Sequence, residues 1–573
     1  MSVEVLKTIS PTTNEAILTR NGVSQADLDE LPNTATKAFE SWSKTSLADR
    51  KTIVKKALSL LLEQKDDLAQ ELTVQMGRPC AYTGVEIATA VKRGEYLLKI
   101  ADDVLKDTDG EAEKGFKRFI RKVPVGPVLV LFAWNYPYLI LVNSLIPALL
   151  SGNTVILKPS PQTPTIVERV AKVFEEAGLP AGVLQYFHCG SPVMIESIVR
   201  NPKVKLVAFT GSVAGGLAVQ QAASDRVVNV GLELGGKDPA YIRSDVDIDW
   251  AAAEIVDGAV FNSGQSCCSV ERVYVDDKIH DAFVEAVQKV LKGYVLGDPF
   301  DKGTHVGPVI SKRSQEAIES HIKDALSKGA TDATPENESF SNPPPKGNFV
   351  KPTLLTGVDH SMTVMTEETF GPVIPVQRVK SDEEAVKFMN DSEFGLTASI
   401  WTKDTDRGYE LADQVEAGTV FVNRCDYPSP VSIPYKQQTC HFLSILGDHP
   451  TCILPAPITI LRVCLSPVPT LSPFLSPMLP PAPNARVGKV LGSSDSERVA
   501  AFHLPFLLLF YLPAGFRKLY TLASRFCFPT SLQAIFDLAW TGWKNSGKGQ
   551  TLSRFGYDQF VKLKSYHLKD YPK

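Results

Sequence analysis

The chain has 573 residues, and this length predicts two or more domains because single hydrophobic cores stop growing at roughly 250–300 residues. Hydrophobic residues make up 44% of the chain and charged residues 22%, which is typical of a soluble globular protein. The 60 Lys and Arg nearly balance the 64 Asp and Glu, for a net charge of −4. This balance argues against a nucleic-acid or membrane-surface partner.

The N-terminal sequence MSVEVLKTISPTTNE has neither an apolar h-region nor an Arg-rich amphipathic run, so no signal or transit peptide is predicted. The nine cysteines form no CxxC pair and have no His-x-x-x-His partner. These spacings argue against a zinc site and against a disulfide framework. We therefore expect a cytoplasmic protein with reduced thiols and no metal.

Helical patterns come first along the chain, and strands then alternate with helices. From Gln25 to Ile100, apolar residues recur three and four positions apart with charges between them, which predicts helices. Gly115–Pro127 is interpreted as a hairpin-like strand pair leading into the buried strand VLVLFAW. Next come TVILK, a helix over Thr165–Ala177, VLQYF, a helix around Met194–Val199, and VKLVAFTG. This alternation predicts a parallel, doubly wound sheet.

A second alternating set follows Glu233. Its predicted helices are Trp250–Phe261, His280–Val290 and Lys312–Lys328, and its predicted strands are SVERVYV, VIPVQRV and LTASIWT. The chain therefore reads as two α/β units in series.

The segment Val431–Phe536 differs in composition from the rest of the chain. Its 106 residues contain 14 of the 40 prolines and only 11 charged residues, with no sustained helical or strand periodicity. It also holds four of the nine cysteines: Cys440, Cys452, Cys464 and Cys527. Its apolar run HLPFLLLFYLPAGF is too short and too interrupted by proline for a membrane span, which needs ~20 residues.

The ends of this segment are compatible with splice signals. Val431 and Ser432 can be encoded by GTAAGT, a good splice donor, and the codon of Gln533 can be CAG, as at an acceptor. Our hypothesis is a retained intron or a gene-model error.

Two residues 34 positions apart suggest covalent chemistry on a carbonyl group. Cys267 lies in FNSGQSCCSV and can attack as a thiolate. Glu233 lies in LELGGKDP, where burial between apolar neighbours would raise its pKa and suit it to take a proton from water. In isolation, each admits a structural interpretation: a small buried hydrophobe for the thiol and a solvated surface charge for the glutamate.

Together with seven further motifs, these segments resemble the aldehyde dehydrogenase superfamily. The motifs occur in the family's order, over Met1–Pro430 and Asp537–Lys573: FAWNYP, ILKPSPQTP, FTGSVAGG, LELGGKDP, GQSC, EETFGPV, NDSEFGLTASIW, GTVFVN and NSGKG. The resemblance implies an α/β fold with two doubly wound Rossmann-like domains and a small β oligomerisation arm. It implies a dinucleotide-binding domain (residues 1–107 and 128–232), a catalytic domain (233–430), an arm (108–127 and 550–573) and a return at 537–549.

The resemblance also implies catalytic roles. Cys267 matches the family nucleophile, whereas its neighbour Cys268 is displaced by one position from the GQ dipeptide. Glu233 matches the general base. Asn135 matches the amide that stabilises an oxyanion, although alone it would be interpreted as a turn residue before Tyr136 and Pro137.

Cofactor-binding roles follow in the same way. Gly211, Ser212 and Gly216 form a G-S-x-x-x-G turn after a predicted strand, where small residues let a helix N-terminus approach a pyrophosphate. By resemblance, Lys158 reaches the adenosine ribose, and Glu368 and Phe370 hold the nicotinamide ribose and ring; alone, these two would be interpreted as an exposed acid and a core aromatic. The full set of cofactor-binding residues is Trp134, Lys158, Ser160, Gly211, Ser212, Gly216, Glu368 and Phe370.

One departure from the family pattern bears on the choice of cofactor. Many NAD-preferring members carry a Glu three residues after the lysine, and this chain has Pro161 there. Without that carboxylate, Lys158 and Ser160 are free to bind a 2′-phosphate. We therefore expect NADP, or NAD, as the cofactor.

The resemblance implies oxidation of an aldehyde to its acid by a homodimer or homotetramer. The FAWNYP and KPSPQTP segments look most like the shorter succinate-semialdehyde-type members. A general aliphatic or aromatic aldehyde stays open, as do an esterase that needs no cofactor and a membrane-tethered scaffold. A further alternative is an isoform impaired by its Pro-rich segment, since exposed apolar surface there would favour aggregation or obstruct the substrate entrance.

Overall fold

The computed structural model describes residues 4–425 and 537–571. These residues belong to one unit, which runs over Met1–Pro430 and Ala534–Lys573. The Pro-rich segment Val431–Phe536, and with it the splicing hypothesis, lies outside the described residues. No helix within the described ranges is long and apolar enough to cross a membrane.

The helices and strands of the described residues follow in chain order. The helices are α1 Gln25–Trp42, α2 Leu47–Glu63, α3 Lys65–Met76, α4 Cys80–Leu105, α5 Pro137–Leu150, α6 Thr165–Ala177, α7 Pro192–Arg200, α8 Val213–Ala222, α9 Ile248–Val260, α10 His280–Leu291, α11 Lys312–Ser327, α12 Glu338–Ser341, α13 Thr363–Thr366, α14 Asp382–Asn390 and α15 Thr405–Ala412. The strands are β1 Val5–Ile9, β2 Ala16–Asn21, β3 Thr108–Asp109, β4 Phe116–Pro124, β5 Pro127–Leu131, β6 Thr154–Lys158, β7 Leu184–Tyr186, β8 Leu206–Thr210, β9 Asn229–Glu233, β10 Asp238–Ile242, β11 Val270–Asp276, β12 Thr331–Asp332, β13 Thr353–Thr356, β14 Val373–Val379, β15 Phe394–Gly395, β16 Thr397–Trp401, β17 Thr419–Val422, β18 Trp540–Thr541, β19 Trp543–Lys544, β20 Gln550–Thr551 and β21 Val561–Lys569.

The first sheet has five parallel strands in the order β7-β6-β5-β8-β9. Its central strand β5 is buried along its whole length. Val128 and Val130 pack into the core on one face, and Leu129 and Leu131 pack into the core on the other. A run that is apolar on both faces is typical of a parallel strand covered by helices on each side. The predicted doubly wound sheet is therefore confirmed.

The predicted helical region from Gln25 to Ile100 is also confirmed and contains α1 to α4. Ser24 and Ser46 cap α1 and α2, because each serine side chain accepts a hydrogen bond from a backbone N–H in the first turn. The third helix ends at Gly77, whose left-handed φ of 76° suits glycine.

The second sheet has seven strands in the order β12-β13-β14-β11-β10-β16-β17, and only β12 is antiparallel to its neighbour. Strand β10 alternates between two cores: Ala240 and Ile242 face one, and Tyr241 faces the other. The prediction of two α/β units in series is confirmed.

The third sheet corrects the expected hairpin at Gly115–Pro127. This stretch contains one strand, β4, which pairs antiparallel with β21 over nine residue pairs and with the short β3. The partner strand β21, Val561–Lys569, lies within the part of the chain expected to form the arm, residues 550–573. A strand's partner depends on tertiary contacts, and here it comes from more than 400 residues further along the chain.

Asn153 ties this third sheet to the first. Its side-chain amide donates to Ala148 O at 3.1 Å and to Phe560 O at 2.9 Å, and its Oδ1 accepts from Gly126 N at 3.0 Å. Because Asn153 is fully buried, its side chain gives Gly126 N and Phe560 O a partner away from water, whereas Ala148 O also accepts from the Asn153 backbone N–H at 3.0 Å.

We predict that Asn153→Ala lowers stability by about 3 kcal/mol, because it leaves buried backbone groups unpaired. The thermal unfolding midpoint, followed by near-UV circular dichroism, measures this change. Asn342→Ala, at an exposed asparagine, is the matched control and should leave the midpoint unchanged. Equal midpoints for the two variants would contradict the proposed role of Asn153.

Candidate active site

The carboxyl ends of the parallel strands bring the predicted site residues to one edge of the first sheet. Asn135 follows β5, Lys158 ends β6, Gly211 follows β8 and Glu233 ends β9. In open α/β sheets, ligands bind at this edge. The Gly211 N–H donates to Glu233 O at 3.1 Å, so the phosphate-loop candidate and the candidate base are direct neighbours.

Cys267 lies on a loop between a 3-10 turn, Phe261–Gly264, and β11. Two non-glycine residues of that turn are left-handed: Asn262 with φ 54° and Ser263 with φ 58°. Such conformations cost free energy and persist only where surrounding contacts enforce them. The Ser263 hydroxyl donates to Gly307 O at 2.9 Å and provides one such contact.

The two adjacent cysteines differ in environment. Cys267 is partly exposed, whereas Cys268 is buried. The neighbouring Cys267 thiol and burial together raise the pKa of Cys268, which keeps it a neutral thiol. The accessible thiol at this edge is therefore that of Cys267.

The glycines of LELGGKDP bring this loop against the first sheet. A Cβ on Gly236 would lie 2.5 Å from Cys267 O, a distance that no side chain tolerates. A Cβ on Gly235 would clash with the Glu368 carboxylate. The two glycines thus allow the segment after Glu233 to lie directly beside Glu368 and beside residues 261–269, which carry the candidate nucleophile Cys267 and which we call the nucleophile loop.

Glu233 has the properties expected of a base that works near neutral pH. Burial raises its pKa to about 7, although the Thr551 hydroxyl and the positive charge of Arg93 favour the carboxylate. Thr551 Oγ1 donates to Glu233 Oε1 at 2.6 Å. Near pH 7, the carboxyl group can therefore both accept and return a proton.

Asn135 is buried against the nucleophile loop. One N–H of its side chain donates to Gln265 O at 3.3 Å, and an amide nitrogen carries two N–H groups. Its backbone oxygen accepts from Arg78 and from Asn262 Nδ2. These hydrogen bonds hold the segment that follows β5 against the nucleophile loop.

Glu368 lies against Gly235 and Gly236, and Phe370 follows it two residues later in the same loop. Glu368 Oε1 accepts from Gly236 N at 3.1 Å. Burial raises the pKa of Glu368 to about 8, and the nearby Glu271 carboxylate adds to this shift. Phe370 has a left-handed φ of 51° and meets the Trp134 ring edge-to-face at 5.7 Å between centroids. Trp134 and Phe370 therefore form an aromatic contact beside the strand end that carries Asn135.

The remaining predicted cofactor-binding residues are Lys158, Ser160 and those of the turn before α8. Burial lowers the pKa of Lys158. The Ser212 side chain caps α8 by accepting from Gly215 N at 3.2 Å. In the first turn of α8, a Cβ on Gly216 would clash with Leu234. All the residues predicted from the sequence thus lie at or beside one edge of the first sheet.

The model of the aldehyde dehydrogenase family matches residues 1–436. The chain belongs to this family. The predicted family, the predicted fold class and the predicted activity, an oxidoreductase acting on aldehydes, are therefore confirmed. The protein oxidises aldehydes to acids and uses NAD or NADP.

Several characterised relatives are similar over most of their length. The D-glyceraldehyde dehydrogenase (NADP(+)) of Picrophilus torridus is 33% identical over 74% of this chain and 85% of its own. The succinate-semialdehyde dehydrogenase [NADP(+)] of Escherichia coli is 32% identical over 68% of this chain and 80% of its own. The solved structure of the NAD-dependent aldehyde dehydrogenase of Sinorhizobium meliloti aligns with a TM-score of 0.75 and 25% identity, covering 99% of this chain and 91% of that one.

Two buried ion pairs hold the loops of this candidate active site in place. They were not predicted from the sequence. Lys237 Nζ contacts Glu271 Oε2 at 2.6 Å, and Glu271 accepts from the N–H groups of Thr369 and Phe370 at 2.7 and 2.8 Å. This pair fixes the loop that carries Glu368. Charged residues inside the apolar run SVERVYV are the sequence signal that a buried partner exists.

A second buried pair joins Arg78 and Glu86. Arg78 also donates from Nε to Asn262 Oδ1 at 2.9 Å, and Glu86 accepts from Tyr138 N at 2.9 Å. The pair therefore bridges the α3–α4 turn, the start of α5 and the nucleophile loop. Within residues 4–425 and 537–571, no group of His, Cys, Asp and Glu is arranged to hold a metal.

We predict that Gly236→Ala lowers kcat for aldehyde oxidation by more than about 100-fold, because the methyl group displaces the Cys267 loop from the oxyanion donors. The measurement is nicotinamide reduction by the purified variant, with circular dichroism to verify folding. Gly303→Ala, where a Cβ meets no atom within 4 Å, is the matched control. Parent-like kcat in Gly236→Ala would show that this close approach is not needed for turnover.

Proposed function

We propose that this dehydrogenase oxidises a short aldehyde with a distal carboxylate, such as succinate semialdehyde, and that it accepts NADP. One observation carries the proposal: Cys267, Asn135 and Glu233 lie at one edge of the first sheet. Lys158 lies at the same edge, and position 161, three residues after it, is a proline and not an acidic residue. The similarity to succinate-semialdehyde dehydrogenase supports the substrate class. We place the protein in the cytoplasm as a homodimer or homotetramer. Its third sheet would then serve as the oligomerisation arm.

The proposed reaction begins with Cys267. Its thiolate adds to the aldehyde carbon, and the carbonyl oxygen becomes an oxyanion that the Asn135 amide and the Cys267 N–H stabilise. A bound nicotinamide supplies the hydride acceptor. As the oxyanion collapses, the carbon loses its hydride and remains attached to Cys267 as a thioester.

Glu233 acts in the second half of the reaction. It takes a proton from a water molecule, whose oxygen adds to the thioester carbon. The C–S bond then breaks, releasing the carboxylic acid and restoring the Cys267 thiolate. A base with a pKa of about 7 suits this role because it is partly ionised at neutral pH and can give up the proton afterwards.

Features of this chain fit a dinucleotide. Gly211 lies just before α8 and Gly216 lies in its first turn, and because neither carries a side chain, a pyrophosphate could approach the helix N-terminus closely. Lys158 and Ser160 would hold an adenosine ribose and its 2′-phosphate. Glu368 and Phe370, with Trp134, would hold the nicotinamide end.

We predict that the 573-residue chain has weak activity or aggregates, whereas the chain lacking Val431–Phe536 oxidises succinate semialdehyde with NADP. The physical reason is the apolar, Pro-rich composition of that segment. Absorbance of the reduced nicotinamide measures turnover of both purified chains. Butanal and benzaldehyde, which lack a carboxylate, are the control substrates and should have lower kcat/KM.

Two results would contradict parts of this proposal. Equal specific activity of the two chains would show that the segment does not impair the enzyme. Higher kcat/KM for butanal than for succinate semialdehyde would exclude the distal carboxylate as a recognised group.

We predict that Pro161→Glu lowers kcat/KM for NADP at least about tenfold relative to NAD, because a carboxylate there repels a 2′-phosphate. Initial rates with each cofactor measure the change. Pro202→Glu is the matched control, since Pro202 is exposed and precedes β8 at the opposite edge of the sheet. An unchanged cofactor ratio in Pro161→Glu would separate the proline from cofactor selection.

A further inference from the structure

The strand that carries Glu233 is held by the C-terminal clamp, which we define as residues 546–551. Leu234 N donates to Ser546 O at 3.0 Å. Two N–H groups of the clamp, those of Lys548 and Gly549, donate to Leu232 O at 3.0 and 2.8 Å. The backbone on each side of Glu233 is therefore bound to the clamp, which follows the Pro-rich segment in the chain.

The Glu233 side chain runs along this clamp and ends at Thr551. A Cβ on Gly549 would lie 3.0 Å from Glu233 Cγ, so the glycine makes room for the side chain. The buried Thr551 then donates its hydroxyl hydrogen to Glu233 Oε1 at 2.6 Å. The backbone of Thr551 pairs with Trp540, which fixes the position of the hydroxyl.

The other charged groups near Glu233 have hydrogen bonds elsewhere, and the hydrogen bond to the Glu233 carboxylate comes from Thr551. Arg93 on α4 favours the carboxylate through its charge, and it donates to Asn143 at 3.3 Å. Glu368, on the facing loop, accepts from Gly236 N. Lys548 of the clamp contributes its backbone N–H to Leu232 O. Cys267 and Cys268 are the thiols of the nucleophile loop, whose Cys267 carbonyl lies against Gly236.

We propose that Thr551 is a positioning residue for the general base: its hydroxyl orients the Glu233 carboxylate and favours the ionised form that activates water. This inference rests on the proposed role of Glu233 and adds the C-terminal clamp to the active site. The second half of the reaction, hydrolysis of the Cys267 thioester, then depends on Thr551, whereas hydride transfer does not.

The direction of the pH effect follows from the hydrogen bond. A donor to the charged form lowers a carboxyl pKa, so loss of the Thr551 hydroxyl raises the pKa of Glu233 above its present value of about 7. The protonated acid cannot accept a proton from water. Thioester hydrolysis should therefore slow below the new pKa and recover at alkaline pH.

The test compares Thr551→Val, which keeps the shape without the hydroxyl, with Thr551→Ser, which restores it. Each variant is made in the 573-residue chain and in the chain lacking Val431–Phe536. In Thr551→Val, we expect the rising limb of the steady-state pH profile to move up by about one pH unit, with about a tenfold loss below pH 7. Thr551→Ser should follow the parent profile.

Rapid-mixing kinetics separates the two halves of the reaction. Thr551→Val should keep the rate of the first burst of nicotinamide reduction, and the steady state after it should be slower. A slower burst with an unchanged pH profile would indicate a merely structural role and overturn the proposal, as would parent-like kinetics throughout.

Glu233→Gln distinguishes failure of this inference from failure of the proposed function. If Glu233→Gln loses thioester hydrolysis while Thr551→Val does not, only the role of Thr551 is wrong. If Glu233→Gln keeps full turnover, the proposed base itself is wrong. Infrared difference titration of the carboxyl C=O band, assigned by its loss in Glu233→Gln, gives the pKa of Glu233 in each variant independently of turnover.

Discussion

The site depends on one close backbone approach: Gly236 lies directly against the carbonyl of Cys267. Because glycine has no Cβ, the segment that follows Glu233 can lie beside the thiol loop without displacing it. The proposed base and the proposed nucleophile come from different sheets: Glu233 ends β9 of the first sheet, and Cys267 lies on the loop before β11 of the second. In the proposed mechanism, this contact keeps the segment of Glu233 beside the loop on which the thioester forms.

Two buried ion pairs hold the loops around that contact. Lys237 with Glu271 fixes the loop of Glu368 and Phe370, and Arg78 with Glu86 fixes the start of α5 and the nucleophile loop. Buried pairs are costly to desolvate and are weak evidence for stability. Their hydrogen bonds reach backbone groups on several loops, so their effect here is to keep each loop in one arrangement, which a reaction sensitive to ångström-scale displacement requires.

Most of the framework could be predicted from the sequence because local patterns encode it. The apolar run VLVLFAW predicted a buried strand, and the Gly-flanked Glu233 and the GQSC cysteine were predicted to be the reacting pair. The hairpin expected at Gly115–Pro127 was wrong because its strand pairs with the distant β21. The sequence indicated the buried ion pairs only weakly, through charged residues within apolar runs. No feature of the sequence indicated the role of Thr551.

The sequence by itself determined the order of most strands and helices, the family and the choice of Cys267 and Glu233 as candidate nucleophile and base, since these depend on short motifs and hydrophobic periodicity. Only the tertiary structure decided which thiol is accessible, what holds Asn135 against the thiol loop, and which hydroxyl contacts Glu233. The pKa of Glu233 also belongs to the fold, because it depends on desolvation and on Thr551 and Arg93, which are distant in sequence. Contacts between distant residues are set by packing and by strand pairing, and no local pattern records them.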